Sequence, residues 1–163
     1  MLASWLGLRV SEIRGLKMQN IKDDKIIIDE AIVQGDNGAA NKGTKSRKST
    51  RALPLPTYIK ERIAALVTDD REYITDLSGQ AIYKRFVRLC EKAGVGAFRF
   101  HDLRHTNATI MLEENVPDKY IAERGGWGTE IYKKRYEHTT VNKRQSVNDV
   151  IDNRFERILK PEE

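Results

Sequence analysis

Hydrophobic positions in the first third of the chain follow first a helical period and then a strand period. Residues 2–16, LASWLGLRVSEIRGL, carry helical spacing in two short pieces, and Ser11 is placed to cap the second. β-Branched residues dominate residues 25–34, KIIIDEAIVQ, which predicts one or two strands, and residues 49–55, STRALPL, predict another. The glycine-rich segment between them, residues 35–43, predicts a loop.

The rest of the chain carries the spacing of amphipathic helices. Pro56 and Thr57 begin one helix, and residues 79–93 form another, with Ile82 and Phe86 on its apolar face. The same pattern predicts further helices over about residues 102–114, 118–124, 129–138 and 142–159. The sequence therefore predicts a mixed α+β fold, mainly α-helical, with a small three-stranded antiparallel sheet.

Composition limits the classes of protein that fit this pattern. With 163 residues and 39% hydrophobic content, the chain can bury one core, which favours a single domain. The formal net charge of +5 and the clustered Lys and Arg indicate a polyanionic partner, most commonly nucleic acid. Cys90 is the single cysteine, so a reducing cytoplasm is expected. No stretch approaches the roughly 18 to 20 apolar residues of a membrane span, so no membrane partner is expected.

Several kinds of catalytic site fit the sequence poorly. His101 and His105 are four positions apart, as in H-E-x-x-H zinc sites, but Asp102 stands where that motif has glutamate, and His138 has no ligand context. The sequence contains no G-x-S-x-G, no G-x-G-x-x-G and no P-loop lysine. Cys90 lies in line with apolar residues, which favours core packing over nucleophilic chemistry. Neither a metal nor a cofactor is therefore expected.

Basic groups suited to phosphate recur at widely separated positions. They are Arg9, then Lys42, Lys45, Arg47, Lys48 and Arg51, and finally His101 with Arg104. The middle group is typical of a solvated face or of a contact with the DNA backbone. Arg9 and Arg104 have apolar neighbours, so we expect their guanidinium groups near the core. A half-buried arginine needs an anionic partner, either a carboxylate such as Glu12 or Asp102, or a phosphodiester.

Four sequence blocks occur in order along the chain: LGLRVSEIRGL, TKSRKSTRALPL, FHDLRHTNA and GGWGTEIYKKRYEH. Arg104 follows His101 by three positions, Trp127 follows Arg104 by 23, and Tyr136 follows Trp127 by nine. Blocks and spacing together resemble the catalytic domain of the tyrosine recombinase (phage-type integrase) family. The resemblance runs from about residue 2 to residue 138 and implies the fold of DNA breaking-rejoining enzymes.

This resemblance implies roles for two arginines and one lysine. Arg9 and Arg104 take the places of the arginines that stabilise the transition state, and Glu12 takes that of an acidic residue supporting Arg9. Lys45 takes the place of the general acid on a hairpin, because K-x-x-x-S-x-R-x-x-P begins there. Lys42 and Lys48 remain alternatives for that role.

The remaining roles implied by the resemblance fall on the third and fourth blocks and on the basic stretch, residues 42–51. Tyr136 takes the place of the nucleophile, and Trp127 stands where most members have histidine, with packing and indole N–H donation as its role. His101 is the partner of Arg104 in the H-x-x-R motif, with Asp102 and His105 as supporting groups. The residues expected to bind the DNA backbone are Lys42, Arg47, Lys48 and Arg51.

The resemblance implies a site-specific recombinase that cleaves and rejoins double-stranded DNA through a covalent 3′-phosphotyrosine, without metal or ATP. Such an enzyme would serve the integration or excision of a phage or mobile element in the cytoplasm of a bacterial host or phage-infected cell. A type IB topoisomerase would share this chemistry. A non-catalytic DNA-binding module would share the basic face but would not need Tyr136.

We expect two regions in the chain. Residues 1–140 would form the catalytic domain, and residues 141–163 a C-terminal helical arm. Met1 directly precedes the first arginine block, so the N-terminal DNA-clamping (core-binding) domain of the family is expected to be absent. Apolar residues recur at helical spacing from Val147 to Leu159, and we expect this helix to support self-association on DNA.

Overall fold

The computed structural model of this chain describes residues 1–35, 38–43, 50–66, 70–96 and 98–128; side chains are described in the same ranges except over 34–43. The chain divides into two compact units, Met1–Trp127 and Gly128–Glu163. The first unit contains every described residue except Gly128. The predicted boundary at residue 140 and the predicted C-terminal helices lie outside the described residues and stay predictions.

The predicted helices of the first unit are present. Their bounds are α1 Leu2–Leu6, α2 Val10–Gly15, α3 Thr57–Leu66, α4 Gly79–Lys92, α5 Asp102–Glu113 and α6 Asp118–Gly125, with a short 3-10 helix at Met18–Asn20. The predicted cap at Ser11 is wrong, because α2 begins at Val10 with Arg9 as its N-cap. The Glu12 carboxylate accepts the backbone N–H of Arg9 at 2.9 Å and closes the first turn instead.

The described strands form two antiparallel pairs rather than the predicted three-stranded sheet. Strand β1, Lys25–Ile28, pairs with β4, Arg51–Pro54, and β2, Glu30–Gly35, pairs with β3, Gly38–Gly43. The reason is the register: Ile28 faces Arg51 and Glu30 faces Gly43, so Asp29 alone separates β1 from β2, whereas seven residues of the sequence separate β3 from β4. A continuous ladder cannot absorb that many extra residues in one strand.

The predicted loop at residues 35–43 is also wrong over most of its length. Strand β3 occupies Gly38–Gly43 although glycine, alanine and asparagine are poor strand formers. Its backbone pairs with the β-branched strand β2, in a register that brings Gly35 opposite Gly38. Backbone pairing with a strong strand therefore overrides the local propensity of the segment.

One hydrophobic core joins these elements. Strand β1 directs Ile26 and Ile28 inward, and β4 and the residue after it contribute Leu53 and Leu55. Helices α1 to α3 and the residues that follow α1 and α2 supply the rest of this core: Ala3, Leu6, Leu8, Ile13, Leu16, Ile59 and Ile63. Cys90 is buried, as its apolar alignment predicts. Within the described ranges, no helix is both long enough and apolar enough to cross a membrane.

We predict that Gly15→Ala destabilises the fold. A Cβ atom at this position would lie 2.8 Å from the backbone carbonyl of Glu30, so α2 and β2 would have to separate. Overpacking of this kind costs about 1–3 kcal/mol of unfolding free energy, measurable by urea denaturation. Gly96→Ala is the matched control, because no atom lies within 4 Å of its added Cβ. Equal stability of the two variants would contradict the packing described here.

Candidate active site

Helix α6 ends in a turn whose three successive backbone carbonyls are available to donors from other parts of the protein. Gly126 has φ of 62°, a left-handed conformation that favours glycine, and its N–H bonds the carbonyl of Glu123 at 3.0 Å. The N–H of Trp127 reaches back to the carbonyl of Ala122 at 2.9 Å. The chain thus leaves the helix abruptly, and the carbonyl oxygens of residues 124–126 are left to accept hydrogen bonds from other elements.

An arginine from a different element donates to each of these carbonyls. Arg51, at the start of β4, donates from Nε to Arg124 at 2.8 Å, and Arg9 donates from Nη2 to Gly126 at 3.2 Å. Arg104 of α5 donates from Nη2 to Gly125. Cations at a helix C-terminus are stabilised by the negative end of its dipole. The end of α6 therefore gathers Arg9, Arg51 and Arg104 in one place.

The carboxylate of Glu12 lies at the centre of these arginines. Arg9 Nη1 donates to its Oε1 at 2.7 Å, and the two Nη atoms of Arg51 donate to its two oxygens at 3.0 Å each. Arg104 Nη1 lies 3.9 Å from Oε2. We call Glu12 and these three arginines the arginine cluster. One carboxylate among three guanidinium groups leaves it with a formal net charge of two positive units.

Burial and charge act on the Glu12 carboxylate in opposite directions. Burial alone would raise its pKa, but the hydrogen bonds and charges of Arg51 and Arg9 outweigh that effect and lower the pKa below its ordinary value. Of the two carboxylates considered as partners for the arginines, Glu12 therefore takes that place. Asp102 instead accepts the backbone N–H of Arg99 at 2.9 Å and pairs with its side chain, which lowers the pKa of Asp102.

The arginines of the cluster differ in how much solvent they meet. The side chain of Arg9 is 36% exposed, whereas those of Arg51 and Arg104 are 8% and 1% exposed. Arg104 also donates to the carbonyl of Gly7. The expectation that Arg104 lies near the core is confirmed. Arg9 is the member of the cluster that an anion from solvent can reach.

Trp127 lies against Arg104. The guanidinium carbon of Arg104 is 4.2 Å from the centre of the indole ring, a distance suited to a cation–π contact. A Cβ atom at Gly125 would lie 2.2 Å from that ring, so this close approach requires glycine. The Gly-Gly-Trp sequence at the end of α6 therefore sets the position of the indole.

The histidines stand at the beginning of α5. His101 is exposed and directly precedes the helix, and its ring meets that of His105 edge to face at 4.8 Å. No group of three or more His, Cys, Asp and Glu residues in the described ranges is arranged to hold a metal ion.

Among the cations of the basic stretch, Arg51 is the one whose side chain the structure describes. Arg51 was expected on an exposed DNA-binding face, but the structure buries it in the arginine cluster. A sequence signal for this exists, because Arg51 alternates with the buried Leu53 and Leu55 along β4. Lys42 pairs with Ala31 in β3, and its side chain is outside the described set. Lys45, Arg47, Lys48 and Tyr136 also lie outside the described residues.

Two residues that the sequence interpretation left without a role attach α1 to the site. Asn107 Nδ2 donates to the carbonyls of Ser4 and Trp5 at 2.9 and 3.0 Å, and Arg124 Nη2 donates to Trp5 at 3.2 Å. These donors satisfy the C-terminal carbonyls of α1. The end of α1 is thereby joined to both α5 and α6, next to the cluster.

Comparison with known proteins agrees with this arrangement. Residues 1–143 match the phage integrase family. Tyrosine recombinase XerA of Thermococcus kodakarensis is 33% identical over 144 residues, which cover 78% of this chain and 46% of that protein. An integrase of Saccharopolyspora erythraea is 29% identical over 137 residues, covering 72% of this chain and 31% of that protein. The chain therefore belongs to the phage integrase family and spans less than half the length of these relatives.

Solved structures show the same fold. The Tn1549 transposon integrase in complex with transposon right-end DNA aligns with a TM-score of 0.77 at 15% identity, covering 93% of this chain and 57% of that one. The catalytic domain of bacteriophage HP1 integrase aligns with a TM-score of 0.57 at 18% identity, covering 84% and 70%. The predicted mixed, mainly helical fold of a tyrosine recombinase catalytic domain is confirmed.

We predict that Glu12→Gln removes a pH-dependent contribution to stability. Because folding lowers the pKa of Glu12, the contribution is fully present above about pH 4.5 and is lost as the pH falls through the folded value. Loss of the buried carboxylate should cost about 3–5 kcal/mol of unfolding free energy at neutral pH. Urea denaturation across this pH range should show the difference from the unaltered chain narrowing in acid.

The exposed Glu113→Gln on α5 is the matched control for this prediction. It removes the same charge from the surface and should leave the unfolding free energy nearly unchanged at every pH. A Glu12→Gln chain whose stability parallels that of the control would show that the arginines do not depend on the carboxylate.

Proposed function

We propose that this chain is the catalytic part of a site-specific DNA recombinase of the phage integrase family. The observation that carries the proposal is the arginine cluster, in which Arg9 and Arg104 converge on Glu12 and on the end of α6. Its net positive charge suits a phosphodiester, and partly exposed Arg9 offers the first contact. The substrate in this proposal is double-stranded DNA.

The proposed chemistry follows from the charges that develop at the phosphorus atom. Tyr136 would attack the phosphorus and lose its phenolic proton to solvent, and the bond from phosphorus to the 5′ oxygen would break. Arg9, Arg104 and His101 would stabilise the additional negative charge of the transition state. Lys45 would donate a proton to the leaving 5′ oxygen. A 5′-hydroxyl from another strand would reverse these steps and rejoin the DNA.

The relatives support this proposal by what they are called and by what they bind. XerA is named a tyrosine recombinase, and the Tn1549 integrase was solved in complex with transposon DNA. By extension, this chain would act in the integration or excision of a phage or mobile element in the cytoplasm of a host cell. Self-association on DNA through the helix predicted from Val147 onward belongs to the same proposal.

We predict that the chain forms a covalent adduct with nicked DNA and that Tyr136→Phe abolishes it. A library of nicked duplexes of randomised sequence serves as the probe. Cleavage near a nick releases a short fragment that diffuses away with its 5′-hydroxyl. Because religation is then impossible, the 3′-phosphotyrosine accumulates. Denaturing gel electrophoresis measures the adduct. Arg9→Ala should slow its formation by about 100- to 1,000-fold, as expected on removal of one donor that stabilises the transition state.

Arg9 is a better test position than Arg104. Replacing Arg104 by alanine would leave the carbonyls of Gly7 and Gly125 without this donor inside the protein, and lost folding would be confused with lost catalysis. The exposed Arg62→Ala on α3 controls for the loss of one positive charge. DNA binding without any adduct would favour a non-catalytic module, and relaxation of supercoiled DNA by monomers would favour a type IB topoisomerase.

Alanine substitutions of the three lysines in the basic stretch should affect different steps, either the rate of cleavage or the affinity for DNA. We predict that Lys45→Ala slows cleavage with little effect on DNA affinity, because it removes the proton donor for the leaving group. Lys42→Ala and Lys48→Ala should weaken binding and reduce the slope of log K against log salt by about 0.9 each. Single-turnover cleavage and salt titrations measure the two effects. Normal cleavage by Lys45→Ala, with slow cleavage by either neighbour, would assign the general acid to that neighbour.

A further inference from the structure

Arg51 is buried, whereas an arginine that binds the DNA backbone needs an exposed guanidinium group. Its side chain is only 8% exposed, and three of its nitrogen atoms bond to the protein. We propose that Arg51 is a positioning residue for DNA cleavage, acting on Arg9 and Arg104 through Glu12 and through the end of α6. This inference rests on the proposed recombinase function.

The first route from Arg51 to Arg9 passes through the carboxylate. The two Nη atoms of Arg51 hold the two oxygens of Glu12 at 3.0 Å each, a bidentate pairing that determines both the position and the plane of the carboxylate. The same carboxylate receives the backbone N–H and the Nη1 of Arg9 at 2.9 and 2.7 Å. The direction of the Arg9 guanidinium therefore depends on a carboxylate that Arg51 orients.

The second route passes through the backbone. Arg51 Nε holds the carbonyl of Arg124, directly before the two carbonyls that accept hydrogen bonds from Arg104 and Arg9. A Cβ atom at Gly126 would lie 2.9 Å from Arg51 Nη1, which shows how tightly the guanidinium packs against this turn. A displacement of Arg51 would thus move the acceptors of both other arginines.

Both routes depend on the planar guanidinium group of Arg51, whose nitrogen atoms donate in fixed directions. A lysine at this position would keep the charge, but a single ammonium group cannot hold both carboxylate oxygens and the Arg124 carbonyl in the same geometry. Arg51→Lys therefore separates the loss of charge from the loss of orientation. The expected consequence is a misplaced pair of arginines in a chain that still folds and still binds DNA.

The experiment compares Arg51→Lys with Arg14→Lys in the full chain, using the library of nicked duplexes. Arg14 is the matched control because it is also a partly buried arginine that donates to a backbone carbonyl, that of Ile32 at 3.2 Å. Thermal unfolding followed by circular dichroism identifies a temperature at which both variants are folded, and cleavage is measured at that temperature. We expect Arg51→Lys to slow single-turnover adduct formation by about 10- to 100-fold at saturating DNA, with unchanged DNA affinity, and Arg14→Lys to cleave at the normal rate.

Two further variants decide among the outcomes. Arg9→Ala tests the proposed function: if it cleaves normally, the arginine cluster has no catalytic role and that function fails. If Arg9→Ala is slow while folded Arg51→Lys cleaves normally, the positioning role is overturned and the recombinase function stands.

Glu12→Asp withdraws the carboxylate by one methylene without changing its charge. If Arg51→Lys does not fold, a normal cleavage rate for Glu12→Asp overturns the proposal, and a selective loss of rate supports it.

Discussion

The architecture around the site depends on one buried carboxylate shared by three arginines. Without Glu12, Arg9, Arg51 and Arg104 would repel one another in a region that excludes most water. The carboxylate also closes the first turn of α2, so the local structure of that helix and the long-range assembly of the site use the same group. Elements distant in sequence, α2, β4 and α5, consequently meet at one point.

Helix ends, rather than side chains alone, complete this assembly. The last carbonyls of α6 accept one hydrogen bond from each arginine, while Asn107 and Arg124 hold the last carbonyls of α1. Helix C-termini need such donors in any case, so the fold satisfies its own backbone with the groups that form the site. The turn after α6 then presents Trp127 to Arg104.

The sequence predicted the elements whose side chains carry a local period, and it missed those determined by distant partners. Amphipathic spacing located α3 to α6, and the apolar neighbours of Arg104 placed its guanidinium near the core. Strand β3 was missed because most of its residues lack strand propensity, and its pairing with β2 is not visible in its own sequence. The burial of Arg51 was missed because this residue follows other cations, although its alternation with Leu53 indicated that burial. The anchoring role of Asn107 has no local signature, since its acceptors lie in α1.

Stability and anion binding make opposing demands on the arginine cluster. Full neutralisation of three guanidinium groups would need three carboxylates, and the site would then have no attraction for a phosphate. One carboxylate and the end of a helix dipole, equivalent to roughly half a negative charge, provide less than full compensation. The charge that remains is held by backbone carbonyls, which are neutral acceptors and weaker partners for an arginine than the oxygens of a phosphodiester. A cluster built in this way is stable enough to fold and keeps a positive charge that can attract an anion.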